Sequence, residues 1–171
     1  MASARLSGCD IVTFKDMAGD LPEYPQRLFE VITTTVPTWI ERVMLLACGD
    51  SDNSTREKVK SRVGDVQRDT LAYVTEQLNG LLATDVDDQR SNPLEVLRSS
   101  TKYANVVLRD ARVSPAARDE FQQRLDPDDE FLLGPMSWMD LGESVHEAGI
   151  GWGAWKAATV LTRRRAEGKL S

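Results

Sequence analysis

The chain has 171 residues, of which 41% are apolar and 28% are charged, with a formal net charge of −6. The length favours one domain, and this composition argues against a disordered chain, a collagen and a disulfide scaffold. No uninterrupted run of about 18 apolar residues occurs, so we expect no membrane span. Cys9 and Cys48 are the two cysteines, and without a recognisable export segment they predict reduced thiols in a cytoplasmic protein.

The charge of the chain is distributed unevenly. The acidic net charge disfavours nucleic acid as a partner, because non-specific affinity comes mainly from neutralising phosphates. The stretch from Asp110 to Glu147 holds ten acidic residues and three arginines, and the stretch from Lys156 to Lys169 holds five basic residues and Glu167. Two interpretations of the basic stretch stay open: it complements the dipole of a C-terminal helix, or it is a basic docking tail.

The N-terminal part of the sequence predicts an arm followed by two helices. Residues 1–20 show no regular hydrophobic period, so we predict a loosely held arm before one helical domain over residues 21–171. A first helix is expected over residues 22–34 and a second over 35–47. The boundary is placed before Pro37, because proline removes a backbone donor and crowds the preceding turn.

Three segments in the middle of the chain carry signals for helices. In the longest, residues of one face recur every three or four positions over six turns. They are Val59, Val63, Val66, Thr70, Val74, Leu78 and Leu81. Asn92 and Pro93 predict the start of the next helix, as an N-cap followed by a proline in the first turn. Ser114 and Pro115 repeat this pattern and predict a short helix to about Leu125.

The last predicted helix holds three of the four tryptophans. Its start is indicated by Ser137 and Asp140, which resemble a capping box. A stripe with helical spacing then runs through Trp138, Leu141, Val145, Ala148, Trp152, Trp155 and Ala158. Because no segment alternates like a β-strand, we predict an all-α protein. It is expected to form a single compact bundle of five or six helices with a long C-terminal helix rich in Trp and Gly.

A second stripe on this predicted helix forms a candidate binding groove. Its members are Gly142, His146, Gly149 and Gly153, with Trp152 and Trp155 at the edges. Each glycine inside a helix costs roughly 1 kcal/mol relative to alanine. We therefore expect the glycines of this stripe to have a packing or binding role that compensates for this cost. Three interpretations stay open: another helix backbone packs closely into the groove, the helix breaks between Gly149 and Gly153, or a flat ligand lies there.

His146 is the one histidine of the chain, and the metal hypothesis depends on it. Glu143 and His146 have the spacing of the Glu-x-x-His pair of di-iron bundles, but such a site needs a second pair. A single divalent metal held by Glu143, His146 and Glu147, or by a more remote acid, is therefore one alternative. The alternative that we favour has no cofactor and a histidine hydrogen-bonded in a helix-packing seam.

Three strings in the sequence carry a resemblance to other proteins. Residues 87–94 (DDQRSNPL), 127–129 (PDD) and 146–157 (HEAGIGWGAWKA) resemble uncharacterised helical proteins of high-GC actinobacteria. The resemblance covers roughly residues 20–166. It implies a bacterial cytoplasmic protein and carries no activity with it.

The sequence shows no convergent set of acid, base and nucleophile of the kind that covalent or acid–base catalysis needs. We therefore predict a non-enzymatic protein-interaction or regulatory module that binds a protein partner or a second copy of itself. The acidic stretch and the basic C-terminal stretch suit head-to-tail docking. The alternative is a small metal-dependent enzyme or sensor centred on Glu143 and His146.

Overall fold

The computed structural model describes residues 23–82, 92–113, 133–135 and 137–169. Within these ranges the protein is mostly helical and has no β-strand, which confirms the predicted all-α class. The elements are α1 (Glu23–Cys48), α2 (Asn53–Leu82), α3 (Pro93–Ser100), α4 (Lys102–Asp110), a 3-10 turn (Trp138–Asp140) and α5 (Glu143–Ala166).

Two predicted elements lie outside the described residues. They are the N-terminal arm over residues 1–20, which includes Cys9, and the short helix expected from Ser114 to Leu125. The domain boundary at residue 21 stays a prediction for the same reason.

α1 is one continuous helix, so the prediction of two helices separated at Pro37 is wrong. A proline in a helix interior costs about 3 kcal/mol, because it removes one hydrogen bond and crowds the preceding turn. Burial opposes that cost here: Val36 and Ile40 are fully buried, and Trp39 is 5% exposed. The Pro37 carbonyl also accepts a hydrogen bond of 2.9 Å from Nε2 of Gln67 on α2.

α1 is the central helix of the described structure, since it packs against α2, α4 and α5. Its inward-facing residues, among them Leu28, Ile32 and Met44, belong to the hydrophobic core. Over Tyr24–Cys48 its length and mean hydropathy also satisfy the criteria for a membrane span, and no other helix in the described ranges satisfies them. Core helices of globular proteins and membrane-spanning helices share these properties.

α2 confirms the face predicted from its apolar spacing. Its buried residues are Val59, Val63, Val66, Thr70, Val74 and Leu78, and Leu81 at the end of the same stripe is half-buried. The helix begins after Asp52, whose carboxylate accepts a hydrogen bond of 2.8 Å from the backbone N–H of Thr55. This is the bond that an N-cap residue makes to the first turn.

The helix start predicted at Asn92 is confirmed, and the segment that follows forms two short helices. The Asn92 side chain accepts a hydrogen bond of 3.1 Å from the N–H of Leu94, with Pro93 in the first turn. The chain turns at Thr101, whose backbone N–H donates to the Arg98 carbonyl at 3.3 Å, a 3-10-type pairing that ends the first helix. α3 and α4 are therefore separate helices, although Thr101 itself is fully buried between them.

The capping box predicted at Ser137 and Asp140 is present, but it caps the 3-10 turn rather than the long helix. The Ser137 N–H donates to the Asp140 carboxylate at 2.9 Å. Gly142 then adopts a φ of +131°, a conformation that side chains disfavour, and α5 begins at Glu143. The prediction of a continuous helix from Trp138 is therefore wrong, because Trp138 belongs to the turn and not to α5.

Candidate functional site

The groove predicted on α5 is filled at Gly149 by the chain itself. α5 is continuous through Gly149 and Gly153, so the interpretation of a helix break there is wrong. Gly149 is buried, and a Cβ at this position would lie 2.7 Å from the indole ring of Trp138. The nearest group to a Cβ at this glycine is therefore the Trp138 side chain and not the backbone of another helix.

The other residues of the predicted groove lie in different surroundings. Gly142 is the N-cap of α5. Among the described residues, a Cβ on Gly142 or Gly153 would meet no atom within 4 Å, unlike a Cβ on Gly149. Trp152 is half-buried and packs against the core, with the Lys156 ammonium 5.2 Å from its ring centroid. Trp155 is half-buried. The six residues therefore do not line one open groove.

His146 is half-buried on α5, and its Nδ1 atom is buried. Within the described part of the chain this nitrogen has no hydrogen-bond partner, and the hydrogen bond expected for this histidine stays a prediction. Glu143 and Glu147 are exposed. Across the described ranges, no three His, Cys, Asp or Glu side chains form a group suited to a metal ion. The residues of the metal hypothesis thus all belong to one helix.

Cys48 at the end of α1 is a free thiol and is 3% exposed. Burial raises the pKa of this thiol, and the positive charges of Arg56 and Lys60 oppose the shift in part. The thiolate is the reactive form of cysteine. The raised pKa therefore disfavours the reactive thiolate form of Cys48.

A pocket of about 240 Å³ lies between α2 and α4. It is lined by Lys58, Ser61, Arg62, Val107, Asp110 and Ala111. The Ser61 hydroxyl donates to the Lys58 carbonyl at 2.8 Å, and the pocket is smaller than the roughly 300–1,000 Å³ typical of ligand sites. The mixed charges of the lining residues do not select one class of ligand.

The surface that sequence reasoning missed is the outer face of α5. Its residues are Glu143, Glu147, Ile150, Ala154, Ala157, Leu161 and Arg164, all of them exposed. They alternate in steps of four and three, which is the spacing of a helical seam. Ile150 is 57% exposed and Leu161 is 44% exposed. The sequence signal for this face is its spacing, which the Trp and Gly stripes on the same helix share.

Comparison with known proteins identifies no relative. No protein-family model, no curated protein and no solved structure matches the chain. The functional argument therefore depends on the residues described above.

Proposed function

We propose that this protein is a non-enzymatic protein-interaction module and that the outer face of α5 is its docking surface. The observation that carries the proposal is the exposure of Ile150 and Leu161 on a helix whose opposite side is already packed against the core. Val145 and Ala148 form that inner side and are buried. Exposed apolar residues arranged along a face are typical of protein–protein contact sites.

The fully buried residues of α5 lie in its N-terminal part, and beyond them Trp152 packs against the core while only half-buried. The buried residues of α5 end at Gly149, and every described residue from Ile150 to Lys169 is half-buried or exposed. Isolated helical segments of about 12–15 residues are marginal in water, and most helical stability in proteins comes from tertiary packing. Gly151 and Gly153 weaken this segment further. A partner along the outer face would supply the missing burial.

The non-enzymatic part of the proposal is supported by the surroundings of Cys48 and His146. Burial raises the pKa of the Cys48 thiol, which disfavours the reactive thiolate, and Nδ1 of His146 contacts no hydrogen-bonding group within the described residues. A catalytic nucleophile needs a base within hydrogen-bond reach. Neither side chain has such an arrangement among the described residues, and the proposal invokes no cofactor.

The proposal includes the architecture and setting that the sequence predicts. The whole chain is then a bundle of five or six helices, and its C-terminal helix, rich in Trp and Gly, carries the docking surface. The continuity of α5 from Glu143 to Ala166 supports this architecture. The cysteine usage and the actinobacterial resemblance support a bacterial cytoplasmic location, with a protein as partner and neither nucleic acid nor a membrane.

Site-specific photo-cross-linking tests the docking surface. A benzophenone amino acid placed at Leu161 in the full-length chain, irradiated in living bacterial cells, is expected to yield a covalent adduct with a protein. The matched control places the same amino acid at Glu76, an exposed position on α2. Absence of an adduct from position 161, or equal adducts from both positions, would contradict the proposed function.

A further inference from the structure

We propose that the partner of the outer face of α5 is the same face of a second copy of this chain, paired antiparallel about a two-fold axis. This inference rests on the proposed function and specifies its partner. The argument uses the order of charges along α5, the register of the apolar residues and the size of the side chains at the centre.

The outer face of α5 changes its charge from one end to the other. Glu143 and Glu147 lie at the N-terminal end, and Arg164 lies at the C-terminal end beside the exposed Arg165. In a parallel pair of such helices, acidic residues would face acidic residues and arginines would face arginines. In an antiparallel pair, the acidic end of each helix faces the basic end of the other, and opposite charges across a seam set the orientation of paired helices.

One antiparallel register satisfies the charges and the apolar residues together. With the two-fold axis between Ala154 and Ala157, Ala154 faces Ala157 of the partner subunit. In the same register, Ile150 faces Leu161 of the partner subunit, and Glu147 faces Arg164 of the partner subunit. A two-fold interface is isologous, so each of these pairs occurs twice. The outer face of α5 therefore matches a second copy of the same face that runs in the opposite direction.

The side chains on the outer face suit a close helix pair. Ala154 and Ala157 are small, so the helix axes can approach to the short end of the usual 8–10 Å range at the crossing point. Ile150 and Leu161 then fill the seam on both sides of the crossing. From Glu147 to Arg164, the residues paired in this register, the seam is about 26 Å long. Four apolar positions per copy give a modest interface, so we expect a dissociation constant on the order of micromolar.

Charge reversal in the full-length chain tests the antiparallel register. Sedimentation equilibrium is expected to show a dimer for the wild type and a dissociation constant raised about tenfold for Glu147→Arg and for Arg164→Glu. Each single variant creates two like-charge contacts by symmetry. The double variant restores opposite charges in the same register, so its dissociation constant should return to within about threefold of the wild type.

The control for these variants is Glu76→Arg, which reverses an exposed charge on α2 and is expected to leave the dimer unchanged. Circular dichroism verifies that each variant is folded. A monomeric wild type at several hundred micromolar, single variants without effect, or a double variant that fails to restore the dimer would each overturn the antiparallel pair.

The two proposals fail in distinguishable ways. If position 161 cross-links to a different protein while the wild type is monomeric, the antiparallel pair is wrong and the docking surface stands. If position 161 cross-links to nothing in cells, the docking surface itself is wrong.

Discussion

The indole ring of Trp138 lies against the backbone of Gly149, so that a Cβ on this glycine would fall 2.7 Å from the ring. The contact joins the 3-10 turn to α5 and lets the turn fold back over the helix. A glycine inside a helix costs roughly 1 kcal/mol relative to alanine. Packing of a large aromatic ring on the glycine opposes that cost, since about 25 cal/mol is gained per Å² of apolar surface removed from water.

Gly149→Ala should destabilise the protein because the added methyl overlaps the ring of Trp138. Overpacking of this kind costs about 1–3 kcal/mol, which we expect to exceed the gain in helix propensity. Gly153→Ala is the matched control on the same helix: a Cβ there meets no atom of the described residues within 4 Å, so this variant should gain up to about 1 kcal/mol. Urea denaturation measures both, and an equal gain in the two variants would contradict the Trp138 contact.

Thr101→Val should lower the free energy of unfolding by about 1–3 kcal/mol, the cost of breaking a buried hydrogen bond. The Thr101 hydroxyl donates to the Leu133 carbonyl, to which Asn105 Nδ2 also donates at 3.3 Å. Thr34→Val is the control, because its hydroxyl donates to the Glu30 carbonyl at an exposed site and its removal should change stability by less than about 0.5 kcal/mol. Equal effects of the two variants would show that Leu133 is not anchored through Thr101.

The fold was predictable where local sequence and tertiary packing agree. The face of α2 and the cap at Asn92 depend on spacing and capping chemistry, and the structure confirms both. The continuity of α1 was not predictable, because the local penalty of Pro37 is opposed by burial of neighbours such as Ile40. That burial depends on helices distant in sequence.

The candidate site was harder to predict than the fold. The residue pattern around Trp138 fits a continuous helix. The turn before α5 is revealed by the backbone of the folded chain, where Gly142 has a positive φ. Three stripes on α5 share the same three–four spacing, so spacing alone does not show which one faces the core. The structure resolves this, because Val145 and Ala148 are buried whereas Ile150 is exposed.

The stability of the protein should fall in alkaline solution, in part because of Cys48. Burial raises the pKa of this thiol in the folded state, so the unfolded chain, with a thiol pKa of about 8.5, loses its proton first. The stabilising contribution of the protonated thiol is full below the unfolded pKa and is lost as the pH rises towards the folded pKa. Urea denaturation should therefore show the advantage of wild type over Cys48→Ala shrinking between about pH 8 and 10. A constant difference between the two proteins across this range would contradict the prediction.

His146→Leu should keep or raise the free energy of unfolding. The buried Nδ1 of His146 has no hydrogen-bond partner among the described residues, and a buried polar atom without a partner costs about 1–3 kcal/mol. Leucine fills a similar volume without that cost, whereas His146→Ala removes packing and should destabilise the protein. Thermal unfolding of the three proteins measures the order that we expect, with the alanine variant the least stable.

The same histidine decides between the interaction module and the metal-dependent alternative. A divalent metal bound by His146 with Glu143 or Glu147 would stabilise the folded state by mass action, and its removal would lower Tm. We expect native mass spectrometry of the protein from bacterial cells to give the mass of the bare chain or its multiples, and EDTA to leave Tm unchanged. An added mass that is lost on chelation and is missing from His146→Leu would contradict the interaction module. Such a result would place a metal site at His146, because leucine removes the nitrogen ligand and leaves the packing of the helix in place.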